Sequence, residues 1–185
     1  MSTRVKRHPE RGHYDRETVD AILDAGFLCH LGFVVDDQPY VIPTLHVRVG
    51  DVLYLHGSPA SRMLQVLGSG ARVCVTVTHL DGIVLAKSVF HHSVNYRSAV
   101  VLGTARLVEG EEKVEALHAL VDHIEPGRWD VARRPDEKEL RTTQVVALAL
   151  EECSAKIRTG PPTDAPADAR LDVPSGVVPL RLVRG

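Results

Sequence analysis

Apolar residues recur along this chain in two rhythms, and each rhythm predicts its own kind of element. After Asp15 they fall three and four apart, at Val19, Ile22 and Leu23, and the run stops at Gly26. That spacing predicts an amphipathic helix with Asp15 as its N-cap. Residues 27–35 and 40–49 are dense in Val, Leu and Ile, and predict two strands joined by the polar turn Asp36-Asp37-Gln38-Pro39. Gly50-Asp51, between 45–49 and 52–56, is a two-residue hairpin signal, and Asp81-Gly82 reads the same way between 72–79 and 83–90. Further strands are expected over about 96–108 and 144–150. A helix is expected from Ser58-Pro59 to Gly68, with Ser58 as N-cap and Met63, Val66 and Leu67 facing inward. A second covers about 111–124, with Val114, Leu117, Val121 and Ile124 at helical spacing, and a short one covers 136–141. Six or seven strands with hairpin turns and few helices predict a mainly β fold, an antiparallel barrel with peripheral helices. The barrel domain is expected over residues 15–160, between a polar arm (1–14) and a Pro-rich tail (161–185).

Composition narrows the class. A chain of 185 residues is one domain of ordinary size, and 44% hydrophobic with 25% charged residues excludes wholesale disorder. Twenty-two basic against 24 acidic residues leave a net charge of −2, which disfavours a nucleic-acid partner. No apolar run reaches the ~20 residues of a membrane span, and no apolar stretch follows the charged N-terminus, so no secretory signal is expected. Three cysteines without a C-x-x-C pair fit a reducing, cytoplasmic setting.

Two polar clusters stand out as candidate chemistry. In Leu53-Tyr-Leu-His-Gly-Ser-Pro-Ala-Ser-Arg-Met63 a strand ends at His56-Gly57 and a helix opens. Unpaired N–H groups at a helix start attract phosphates. Ser58, Ser61 and Arg62 would add to such a cradle, and Gly57 would let a ligand approach the backbone. The same residues suit a plain capped helix with a solvated arginine, and the pattern leaves both open. The second cluster, Asn95-Tyr96-Arg97-Ser98, enters a strongly apolar strand and suits a ligand or a subunit contact. Lys156 and Arg158 alternate outward on a short strand, as a basic edge or as an anion contact on a neighbouring subunit. Ten histidines show no metal-ligand spacing, and no G-x-S-x-G, Walker or G-x-G-x-x-G motif is present.

Taken in order, Val41-Ile-Pro-Thr-Leu-His46, Leu53-Tyr-Leu-His-Gly-Ser58, Ser61-Arg62 and Asn95-Tyr-Arg-Ser-Ala-Val-Val-Leu-Gly-Thr-Ala-Arg106 resemble the pyridoxamine-phosphate-oxidase-like flavoproteins. The nearest branch is that of the nitroimidazole-resistance reductases. The resemblance implies an FMN-binding split β-barrel, and a homodimer with flavin at the subunit interface. It implies that Ser61 and Arg62 hold the FMN phosphate and that backbone groups at Pro43 and Thr44 meet the polar edge of the ring. His56 matches a histidine near the active centre of that branch and is the candidate catalytic residue. The vitamin-forming oxidases have a lysine where Met63 stands and a C-terminal Arg-x-His that is missing here, so pyridoxamine phosphate oxidation is not expected. The implied activity is reduction of a small organic acceptor, nitro-aromatic compounds included, by a nicotinamide donor. The alternatives are a deazaflavin- or haem-binding protein, or a flavin carrier or sensor without turnover.

Overall fold

The computed structural model describes residues 3–184. The strands are β1 (Gly12–His13), β2 (Leu28–Val35), β3 (Gln38–Val49), β4 (Val52–Gly57) and β5 (Arg72–Leu85). They continue with β6 (Ser93–Thr104), β7 (Arg106–Val108), β8 (Gln144–Ala149), β9 (Glu152–Arg158) and β10 (Gly176–Pro179). The helices are α1 (Arg16–Asp24), α2 (Arg62–Gly68), α3 (Gly110–Ile124), α4 (Arg128–Val131) and α5 (Glu137–Thr142). All pairings are antiparallel, in the order β1-β9-β6-β5-β2-β3-β4-β8-β7. Strand β6 passes through Ala105 directly into β7. Strand β6 pairs β5 and β9 near one end of the path while its continuation β7 pairs β8 at the other, so one stretch of chain joins the two sides and closes the barrel. The fold is the mainly β, antiparallel barrel that the pattern predicts.

Local chemistry accounts for most of the elements. The Asp15 carboxylate accepts from the Thr18 N–H at 2.8 Å and opens α1. Asp36 and Asp37, at φ 48° and 62°, make a two-residue turn, so β3 starts at Gln38 and not at residue 40. Gly50, at φ 57°, makes the β3–β4 turn as predicted.

Two expectations fail. Asp81-Gly82 is no hairpin: β5 runs on to Leu85, with an irregularity in its register against β6 between Leu80 and Gly82. Asp81 turns its carboxylate onto Arg97, and Gly82 is needed because β10 crosses it; a Cβ there would meet Val177 Cγ1 at 2.9 Å and the Val178 carbonyl at 3.1 Å. Helix α2 starts three residues late, with Ser61, not Ser58, as its N-cap, and it buries Leu64 in place of Val66. The arm and tail lie against the barrel: β1 pairs β9, β10 pairs β5, and Arg184 donates to the Ile124 carbonyl at 2.7 Å.

The barrel interior holds Leu31, Leu53, Leu55, Val75, Val101, Val146 and Leu148, closed off by Val19 and Leu23 of α1 and Leu64 and Leu67 of α2. A second apolar layer lies outside. There Val47, Tyr54, Val145 and Ala147 meet Ala116 and Leu120 of α3. Strand β8 is therefore apolar on both faces, which is why its sequence shows no alternation. Three histidines hold the end of α1 through Nε2, His79 on the Ile22 carbonyl (2.8 Å), His46 on that of Leu23 (3.0 Å) and His123 on that of Gly26 (2.7 Å).

Candidate functional site

The barrel is split between β3 and β4. Strand β4 pairs β3 only from Val49↔Val52 to His46↔Leu55. Beyond that point β3 pairs β2 alone, over residues 38–45, while His56 and Gly57 follow β8. Pro43 and Thr44 thus lie on a stretch of β3 whose second backbone edge has no strand beside it. This open edge is what a planar, polar-rimmed ligand needs for main-chain hydrogen bonds.

The chain after Gly57 turns across the split. Ser58 Oγ accepts from the Ala60 N–H at 3.2 Å, and Ser61 Oγ accepts from Leu64 N–H at 3.2 Å as the cap of α2. Arg62 lies over the Tyr40 ring, 4.6 Å from its centroid. No carboxylate pairs with it among the described residues. An arginine resting over an aromatic ring, with its N–H groups open among the described residues, is a fit for a phosphate.

The other predicted residues gather elsewhere and bond to one another. Arg97 makes a two-pronged pair with Asp81, at 3.0 Å through both Nε and Nη2. Asn95 is buried, donates to the Gly160 carbonyl at 3.1 Å and accepts from Arg158. Ser98 Oγ donates to the Lys156 carbonyl at 3.3 Å, and Tyr96 lies between Leu80 and Arg158 in the β5–β6–β9 register. These side chains knit β5, β6 and β9 together at the end of β6 remote from α2; Thr104 at its other end pairs Arg72, just after that helix. Six residues separate Ser98 from Thr104, roughly 20 Å of strand. Within one chain the two predicted clusters do not meet.

His56 opens onto something that the sequence reading did not predict. Cross-strand pairing aligns it with Val145 on the outer face of the sheet, the face that packs on α3. There a cleft of about 410 Å³ runs between the sheet and α3–α5, lined by Leu45, His56, Leu117, Leu120, Ile124 and Trp129, with Arg133 and Glu139 among its further lining residues. Burial lowers the His56 pKa, which keeps the imidazole neutral, and its buried Nδ1 has no hydrogen-bond partner. Of the residues at helical spacing in α3, Leu117, Val121 and Ile124 wall this cleft, and Val114 is 38% exposed. Trp129 is fixed between the His118 ring at 5.0 Å and the Arg134 guanidinium at 4.8 Å. The chain's single tryptophan beside Pro126-Gly127 and a basic pair was the signal available in the sequence.

Known proteins resemble this architecture closely. The flavocytochrome Anf3 from Azotobacter vinelandii is 41% identical over 97% of this chain and 84% of its own, with a TM-score of 0.91. The FAD and haem binding protein from Mycobacterium smegmatis is 39% identical over 95% of this chain and 86% of its own, also at 0.91. A protein from Bacteroides thetaiotaomicron, described as a candidate 5-nitroimidazole antibiotic resistance protein, is 23% identical over 79% of this chain and 86% of its own, at 0.67, and shares the fold. No curated protein matches the chain by sequence. The profile of the pyridoxamine 5'-phosphate oxidase family matches residues 15–157, and with the split barrel and its open β3 edge this shows that the chain belongs to the flavin-binding pyridoxamine 5'-phosphate oxidase-like family.

Proposed function

We propose that this protein is a redox protein carrying two cofactors, a flavin along the open edge of β3 and a haem in the cleft under α3. The observation that carries the haem is His56. A haem site needs an apolar slot and an axial ligand. The cleft supplies the slot, and His56 supplies a neutral imidazole with a buried nitrogen that none of the described residues engages. The two relatives near 40% identity, described as a flavocytochrome and as an FAD and haem binding protein, support the pairing. The second description also favours FAD over the FMN suggested by the sequence motifs. When bound, the two groups supply electron transfer in one- and two-electron steps. The chain's part is to hold them: Arg62 on its Tyr40 shelf takes a phosphate, the β3 edge takes the ring, and His56 takes the iron.

The surface supports a homodimer. Outside β2 and β3 an apolar groove of about 340 Å³ includes Gly32, Val34, Tyr40 and Val41, and Val34 and Val41 are 57% and 67% exposed. We read this face as the one through which two copies pair, with the flavin at their interface and the Tyr40 shelf of Arg62 on its border. Light scattering at micromolar concentration checks the dimer, and a monomeric mass would remove the shared-site reading.

The decisive experiment is titration with hemin and, separately, with FAD. The wild-type chain is expected to develop a Soret band and to bind FAD. His56→Ala is expected to lose the haem spectrum while keeping the flavin. Equal haem binding by His56→Ala would refute the assignment. A second reading has the same cleft receiving an organic acceptor such as a nitro-aromatic, reduced by flavin at the expense of a nicotinamide donor; its apolar walls favour it. A bound haem would fill that space, so a wild-type chain that takes up FAD but no hemin would favour the second reading.

A further inference from the structure

The cleft under α3 has a second polar feature besides His56, and the haem reading gives it no task. Arg133 lies among its lining residues, between α4 and α5. We propose that Arg133 is the carboxylate anchor of this cleft, holding a propionate of the haem that His56 ligates. The assignment rests on the haem reading above.

The guanidinium is held in place and only partly used. Nη1 donates to the Arg134 carbonyl at 2.9 Å and to Glu139 Oε2 at 3.0 Å, and Nη2 donates to Glu139 Oε1 at 2.6 Å. The Nε–H and the second hydrogen of Nη2 have no partner among the described residues. Those two N–H groups form the lateral edge of the guanidinium, whose spacing suits the two oxygens of a carboxylate. Arg134, the neighbouring cation, is engaged differently, lying over Trp129 at 4.8 Å and pairing with Asp130 at 2.8 Å.

Glu139 fixes the direction in which that edge faces. Its Oε2 also accepts from the Asp136 N–H at 2.8 Å, and the Asp136 carboxylate accepts from the Glu139 N–H at 2.8 Å, a reciprocal cap on α5. The Arg133 guanidinium beside it holds the Glu139 carboxyl down at about 2, so the pair stays ionised across the working pH range. An exposed arginine would ordinarily sample many rotamers. This one is tied to the first turn of a capped helix, which lowers the entropic cost of holding a ligand. A body of apolar walls, an imidazole at the floor and a fixed arginine edge match haem, whose iron is central and whose two carboxylates share one rim.

The test compares hemin with hemin dimethyl ester, which keeps the iron and the macrocycle but has no free carboxylate. Binding is read by Soret titration of the apo-protein, for wild type, Arg133→Gln and Arg133→Lys, with far-UV circular dichroism as a check on folding. Arg133→Gln is expected to weaken hemin about fivefold, the range of an exposed but well-aligned pair, and to leave the ester unchanged. Arg133→Lys should recover part of the loss. Equal losses for hemin and ester, or no loss for either, would overturn the anchor while leaving His56 as ligand. A wild-type chain that binds neither compound would instead overturn the haem reading, and the anchor with it.

Discussion

Arg62 offers the sharpest test of the flavin site, because the structure separates its two contributions. Among the described residues its side chain meets the Tyr40 ring, at 4.6 Å, and no ion pair or hydrogen-bond partner. A cation–π contact at an exposed position is worth about 0.5–1 kcal/mol, so Arg62→Ala should lower Tm by only about 1–4 °C. Toward a phosphate the same side chain makes charge-assisted hydrogen bonds of about 1.5–3 kcal/mol. Since the arginine stays wet, the lower end applies, and about 1.5 kcal/mol is roughly a tenfold loss of affinity. The assay is calorimetric or fluorescence titration with FAD, FMN and riboflavin on wild type and variant. Both phosphate-bearing flavins should lose about tenfold, while riboflavin should lose almost nothing. Tyr40→Leu, which removes the shelf and keeps the charge, should give a smaller loss in the same order. If riboflavin weakens as much as FAD, Arg62 acts through the fold and the phosphate assignment is wrong.

Three further outcomes follow from the same geometry. Burial lowers the pKa of both His46 and His56, so below the ordinary imidazole value of about 6.5 the unfolded chain binds more protons than the folded one. Stability should be fully present above that pH and fall as the pH drops below it; urea midpoints of the apo-protein at pH 7.5 and 5.0 that coincide would contradict this. Gly82→Ala should push β10 off β5, because the new Cβ would lie 3.1 Å from the Val178 carbonyl, and limited proteolysis should then cut the tail faster while the barrel persists. Leu120→Ala, at a position 3% exposed between α3 and the sheet, should cost about 2–3 kcal/mol in urea denaturation, at the low end because the cleft beside it lets the site relax. A loss under about 0.5 kcal/mol would mean that α3 is held by other contacts.

Much of the architecture can be read from the chain because its causes are local. Asp15 caps a helix through its own third neighbour, Gly50 allows a left-handed turn, and the 3.6-residue stripe of α3 needs only its own spacing. Such features act over a few residues, so the sequence holds all the information they need. The order of motifs was also enough to place the chain in its family, and to single out Arg62 and His56.

Tertiary structure decided what depends on neighbours far away in the chain. Asp81-Gly82 has the composition of a turn, yet β6 and β10 run alongside and hold it in a continuous strand. Asn95, Arg97 and Arg158 carry the polarity of a ligand site, but Asp81 and Gly160 meet them first. His56 reads as a residue beside a flavin phosphate cradle. Its direction is set by pairing with Val145 on β8, 89 positions on, and by the alternation of the strand, which turns it to the outer face beneath α3. The cleft it enters lies between the sheet and three helices, α3 to α5, that are separate in the chain from β4. Local propensity determines each element on its own, whereas a cavity exists only between elements, and its lining is fixed by register and packing that no short stretch of sequence contains.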